Sequence, residues 1–190
     1  KTTRNGASFT EYKNFIEQNG DYPRINRIRY LAEEKIYLKN HSPTSIINWF
    51  ERYPPLGGIG KIKLAEAYLE RGNNEKVREL IKEGWITANI RKNDLGYYRA
   101  KFKKFIDSDD HIKRADHLAW ERKHWDLKRM LKYLPADQKA LYNARQILIS
   151  NSYGVDNAIN KVPEYLKQDP GLEFDRLKWR NRRGRLDGSL

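Results

Sequence analysis

Apolar positions along the chain recur at helical spacing. Val77, Leu80, Ile81 and Gly84 fall at i, i+3, i+4 and i+7, and so do Leu127, Met130, Leu131 and Leu134, then Val155, Ala158, Ile159 and Val162. Residues spaced in this way share one face of a helix. Each set follows a short polar turn: Arg71-Gly72-Asn73-Asn74, Arg122-Lys123-His124, and Asn151-Ser152-Tyr153-Gly154. A fourth turn, Arg182-Arg183-Gly184-Arg185, precedes Leu186, Ser189 and Leu190, where the pattern stops. A helix after a tight turn, repeated, predicts stacked antiparallel helix pairs, an all-α solenoid or superhelix of tetratricopeptide-like pairs.

The remaining elements follow from stripes and stop signals. Ser8 to Gln18 predicts a first helix with Phe9, Tyr12, Phe15 and Ile16 on one side, broken by Asn19-Gly20-Asp21. Pro23 opens a second, to about Leu38, with Ile25, Ile28, Leu31 and Ala32 inward. His41-Ser42-Pro43 is a start signal, with Ser42 as N-cap and Pro43 at the first helical position. That helix carries Ile46, Ile47, Trp49 and Phe50 and ends before Pro54-Pro55. Gly57-Gly58 to Arg71 has the stripe Ile62, Ala65 and Leu69, with Ala67 as a small contact position. Its partner runs from Asn74 to Gly84, closed by Trp85.

Asn93-Asp94 caps an inserted helix holding Leu95, Tyr98, Phe102, Phe105 and Ile106, which accounts for the long interval between the first two repeat sets. Ser108-Asp109-Asp110 caps the helix of Ile112, Ala115, Leu118 and Ala119. Pro135 starts that of Ala140, Leu141, Ala144, Ile147 and Leu148, and Asp169-Pro170 that of Leu172, Leu177 and Trp179. No period-two stretch predicts a strand. The sum is about ten to twelve helices in a single domain over 1–190.

Composition sharpens this picture. Hydrophobic residues are 38% of the chain but include 5 Trp, 12 Tyr and 6 Phe, more aromatics than a disordered chain carries. The formal net charge of +13 favours anionic partners, whether nucleic acid, phospholipid or an anionic wall polymer, or else reflects solvated helix faces rich in lysine. With no cysteine, disulfides, zinc–thiolate sites and cysteine nucleophiles are excluded. No apolar run approaches membrane-span length.

Candidate chemistry is sparse. His117 and His124 would share a helix face only if one helix ran unbroken through Arg122-Lys123, and no metal-ligand spacing such as H-E-x-x-H occurs. Glu33-Glu34 and Asp109-Asp110 are adjacent, so their side chains diverge on a helix, and no acid stands out as catalytic. Gly57-Gly58-Ile59-Gly60-Lys61 lacks the phosphate-loop frame and a preceding strand, and reads as a flexible helix entry. No cofactor is expected.

The basic aromatic run Arg176 to Arg185 is the best binding candidate. Its arginines can grip carboxylate or phosphate bidentately, and its Trp can stack on a sugar or a base. The competing reading makes Leu177 and Trp179 core positions and the arginines complements to a helix C-terminus.

Two segments carry a resemblance: Leu64-Ala65-Glu66-Ala67-Tyr68-Leu69-Glu70-Arg71-Gly72-Asn73, and Phe174-Asp175-Arg176-Leu177-Lys178-Trp179-Arg180-Asn181-Arg182-Arg183-Gly184-Arg185. Pro43 to Pro54 adds an early helix that ends in Pro after an aromatic. With these, most of residues 8–190 resembles the N-terminal superhelical region of bacterial soluble lytic murein transglycosylases. Heavy use of Lys, Asn, Ile and Tyr fits an AT-rich bacterium of the rickettsial kind.

The resemblance implies a periplasmic helical scaffold that holds peptidoglycan glycan strands. A C-terminal lysozyme-like domain would cleave the β-1,4 bond between N-acetylmuramic acid and N-acetylglucosamine, leaving a 1,6-anhydro end. The family's catalytic Glu-Ser pair and Gly-Leu-Met-Gln motif do not occur here, and the one methionine, Met130, lies in a repeat stripe. No catalytic residue is therefore carried over, and the chain is expected to be inactive alone, as a fragment of a longer protein whose catalytic domain is its partner. Trp179, Arg180, Arg183 and Arg185 are the expected glycan contacts. A tetratricopeptide-like adaptor for a protein or peptide is the alternative, and a basic nucleic-acid-binding solenoid a third, disfavoured because repeats of uneven length spell no base code.

Overall fold

The computed structural model describes residues 6–184. Among these, eleven α-helices account for the secondary structure together with two 3-10 turns, and there is no strand. The fold is all-α, and within each of two compact units helices pack on one another as they do in a helical solenoid. The turn at Gly184 is described; Arg185, Leu186, Ser189 and Leu190 lie outside the described residues.

The helices divide into two compact units, Lys1–Ile106 and Asp107–Leu190. The first contains α1 (Phe9–Gln18), α2 (Ile25–Glu33), α3 (Pro43–Arg52), α4 (Gly58–Glu70), α5 (Asn74–Thr87) and α6 (Leu95–Lys101). Ser8 caps α1 in a reciprocal box with Glu11, and Ser42 caps α3 by accepting from the Ser45 N–H, with Pro43 in its first turn. The core gathers Phe9, Tyr12 and Ile16 of α1, Ile46, Trp49 and Phe50 of α3, and Leu64 and Ala67 of α4.

Three boundaries in the first unit differ from the sequence expectation. The second helix begins at Ile25 and stops at Glu33, short of Leu38. The Glu33 carboxylate turns to the loop before α4 and accepts from the Leu56 N–H at 2.5 Å and the Gly57 N–H at 3.1 Å. The chain then bends, and Ile36 is fully buried outside any helix. On α5, Trp85 is not an end but a buried interior position, and the helix continues to Thr87. Helix α6 ends at Lys101, so Phe102 and Ile106 are buried beyond it, and Asp94 precedes α6 without a side-chain capping bond.

Gly57 to Gly60 are not a flexible entry. A Cβ on Gly60 would lie 2.5 Å from Cδ of Glu33, and one on Gly58 would lie 2.5 Å from the Ala88 nitrogen. These glycines are where one buried carboxylate and the end of α5 approach the α4 backbone too closely for any side chain.

The second unit repeats one geometry. It holds α7 (Ser108–Trp120), α8 (His124–Met130), α9 (Ala136–Ser150), α10 (Val155–Asn160) and α11 (Pro170–Arg182). Helix α7 pairs with α8 and α9 with α10, while α7 stacks on α9 and α9 on α11. The apolar sets start on the second helix of each pair but run past it: α8 ends at Met130, leaving Leu131 in a 3-10 turn and Leu134 beyond, and α10 ends at Asn160, before Val162. Leu127, Met130, Leu131 and Leu134 are all buried, as are Val155, Ala158 and Val162. The N-cap of α7 is Asp107 rather than Ser108, in a reciprocal box with Asp110.

Every turn that the sequence marks holds a residue in the left-handed region: Gly72 (φ 73°), Arg122 (φ 57°), Asn151 (φ 57°) with Gly154 (φ 85°), and Gly184 (φ 65°). A helix that ends with a left-handed residue reverses sharply, which brings the next helix back antiparallel. Arg122 also separates α7 from α8, so His117 and His124 lie on different helices.

Candidate functional site

The basic run lies on α11, and its position is set by one buried carboxylate. Asp169 caps α11 by accepting from the Leu172 N–H at 2.8 Å, and Pro170 occupies the first turn. Two turns later Asp175, almost wholly buried, accepts from Arg145 Nε of α9 at 2.9 Å and from Arg122 Nη1 of the α7–α8 turn at 3.0 Å. Arg145 also donates through Nη1 to Asp116 of α7 at 2.7 Å. Burial pushes the Asp175 carboxyl above its ordinary range, and Arg145 and Arg122 pull against that shift. The Arg145 guanidinium lies against Gly171, where a Cβ would sit 2.3 Å from its Cζ. Only glycine lets α11 come this close.

With α11 held in this way, Trp179 and Arg183 meet the loop that joins α9 to α10. Asn151 ends α9 in the left-handed conformation and Gly154 opens α10 in the same region, so residues 151–154 form a tight rim. Between rim and helix lies a cleft of about 240 Å³ lined by Ser152, Tyr153, Asp156, Asn157, Trp179 and Arg183. Tyr153 is 95% exposed. The Arg183 guanidinium stacks on the Trp179 ring at 4.7 Å from its centroid.

The predicted contacts therefore separate. Trp179 and Arg183, one helical turn apart, share the cleft; Arg180 is not among the residues lining it. Arg185 lies outside the described residues. The Trp179 ring is half-buried and carries the guanidinium, so what it presents to the cleft is a positioned Arg183. Leu177, expected in the core, is exposed, because it falls on the side of α11 away from Leu172 and Asp175. Tyr153 was missed by sequence reasoning, although it stands inside a turn that the repeat pattern had marked.

Acids and amines that did not stand out in the sequence are buried in the first unit. Glu33 caps the α4 entry, and burial raises its pKa against the opposing backbone hydrogen bonds. Glu66 accepts from the Tyr97 hydroxyl and pairs with Lys101 at 3.1 Å, and Lys101 also reaches Glu70 at 2.8 Å. Burial disfavours the Lys101 charge, but Glu70, Tyr97 and Glu66 outweigh it and raise its pKa. Lys63 is 2% exposed, with its ammonium 3.8 Å from the Tyr37 ring centroid and 5.3 Å from that of Tyr98. Burial lowers its pKa to about 8. An amine with that pKa is a candidate nucleophile, but this one is sealed from any substrate. These groups hold α4 against its neighbours.

Among the described residues no group of three or more His, Asp and Glu could hold a metal ion, and no helix is long and apolar enough to cross a membrane. No family model, curated protein or solved structure matches the chain.

Proposed function

We propose that this chain is a non-catalytic helical scaffold that holds peptidoglycan glycan strands in the periplasm, working with a lysozyme-like catalytic domain as the family resemblance implies. The observation that supports this reading is the α10–α11 cleft. It combines an arginine stacked on a tryptophan, both on the segment that carries the resemblance, with a tyrosine presented by the α9–α10 turn. Arg183 donates to a carboxylate on the anionic peptide stems, and Tyr153 covers the apolar face of the adjoining sugar. Binding at this cleft positions the strand and leaves bond cleavage to the partner domain.

Intact sacculi test this directly. The purified chain is expected to co-sediment with them and to release no 1,6-anhydro muropeptides by mass spectrometry. Arg183→Ala and Tyr153→Ala are expected to leave most of the protein in the supernatant. Failure of the wild-type chain to co-sediment, or release of anhydro products by it, would overturn the proposal.

A further inference from the structure

The first unit carries a cleft that the proposed function does not use. It lies between α1 and α3 and has a volume of about 450 Å³. Phe9, Lys13 and Glu17 fall four residues apart and share one face of α1, while Ser45, Asn48, Trp49 and Arg52 share one face of α3. Phe9 and Trp49 are both buried and meet edge to face, with ring centroids 5.2 Å apart. The rings form the floor, and the polar residues of the two stripes form the walls.

Three donors on the lining residues lack acceptors. Trp49 is only 6% exposed, yet its indole N–H has no acceptor among the described residues. A buried Trp N–H ordinarily finds a partner. This nitrogen is not sealed from solvent, and the surface of Trp49 that stays open lines the cleft. Lys13 has no ion-pair partner among the described residues. Burial of the His41 ring and, second to it, the Lys13 charge lower the His41 pKa, so the ammonium is felt just ahead of α3. The Thr44 N–H belongs to the first turn of α3, where no carbonyl of the helix reaches it, and Ser42 Oγ is taken by the neighbouring Ser45 N–H.

This set narrows the ligand. The hydroxyls of Ser42, Thr44 and Ser45 and the Asn48 amide stand beside the three donors. The one carboxylate, Glu17, lies toward Arg52, 3.8 Å from that guanidinium. Donors arriving from two helices suit an anion whose acceptor oxygens diverge. A phosphoryl group offers three such oxygens where a carboxylate offers two, and the N-terminus of α3 adds to its attraction. The volume is in the range of small-molecule sites and larger than a bare ion fills, so the phosphoryl group carries a small organic remainder.

We propose that the α1–α3 cleft binds a small phosphate monoester. Its phosphoryl oxygens accept from Lys13, the Thr44 N–H and the Trp49 indole N–H, and its organic part runs toward Glu17 and Arg52. The site lies wholly within the first unit and does not rest on the glycan reading.

The test uses the full chain at constant ionic strength and follows the indole N–H signals by NMR. The Trp49 signal is assigned by its loss in Trp49→Phe. Glycerol 3-phosphate is expected to shift that signal saturably, inorganic phosphate to do so with lower affinity, and glycerol and acetate to leave it in place. Lys13 is partly exposed, so Lys13→Met should fold as the wild type does by circular dichroism. It is expected to weaken glycerol 3-phosphate binding roughly tenfold, through the loss of one charge-assisted hydrogen bond. A Trp49 signal that stays still at saturating glycerol 3-phosphate overturns the proposal. Equal affinity for inorganic phosphate or acetate overturns the monoester assignment. Unchanged affinity in Lys13→Met places the anion elsewhere on a basic chain and overturns the site.

Discussion

Replacing Lys63 by Met should stabilise the protein, and by an amount that depends on pH. The Lys63 ammonium is buried over Tyr37, and its pKa falls from 10.5 to about 8 because burial disfavours its charge. That fall corresponds to roughly 3 kcal/mol acting against folding while the group is charged. The attraction of the ammonium to the Tyr37 ring returns about 0.5–2 kcal/mol of this, so a net gain of about 1–3 kcal/mol is expected for Lys63→Met at pH 7. Met matches the length of the aliphatic stem, and the site should not collapse around it.

The sign follows from linkage. The folded pKa lies below the unfolded one, so the unfolded chain binds more protons between the two values, and the Lys63 contribution improves as pH rises through that range. The penalty is complete below about pH 8 and gone above about pH 10.5. Urea unfolding of both proteins at pH 7, 9 and 10.5 measures the gap, and groups common to both, including Glu66, Asp94 and Arg91 around Lys63, cancel in the difference. A variant less stable than wild type at pH 7, or a gap that stays constant across this range, would refute the reasoning.

Gly171→Ala should lower stability by about 2 kcal/mol or more. The gain of about 1 kcal/mol in helix propensity is outweighed by a methyl driven into a guanidinium that two carboxylates hold in place. An unchanged or higher urea midpoint would show that Arg145 moves aside. Ser42→Ala removes the oxygen that accepts from the Ser45 N–H at 3.2 Å and should cost about 1 kcal/mol, read from the same midpoint with an unchanged slope.

What could be read in the chain beforehand was whatever depends on local spacing. The apolar sets at 77–84, 127–134 and 155–162 marked where the second helix of each pair lies, though not where α8 and α10 stop, and Ser42, Asp169 and Gly72 marked ends, because caps and stripes act within a turn or two. The pairings made across many residues were not legible. Glu33 ends its helix early because its carboxylate serves a loop more than twenty residues away, and the same contact explains Gly60. Asp175 looked like one acid in a basic run, and its role depends on Arg122 and Arg145, which lie on other helices. At the candidate site, Trp179 and Arg183 could be paired from their spacing, whereas Tyr153 required the fold of the α9–α10 turn.

The bonds of Asp175 bear on how the second unit comes apart. In an array coupled only between neighbours, the terminal helix frays first and each repeat can open alone. Here α11 is tied through one carboxylate to the α9–α10 pair by Arg145 and to the α7–α8 turn by Arg122. Peeling α11 away would take the Asp175 carboxylate from Arg122 and leave the wholly buried Arg145 with Asp116 alone, so opening at α11 meets a barrier set as far back as the α7–α8 turn. The second unit should therefore melt as one cooperative block, and hydrogen exchange along α11 should track that of α7 and α9 instead of running ahead of it.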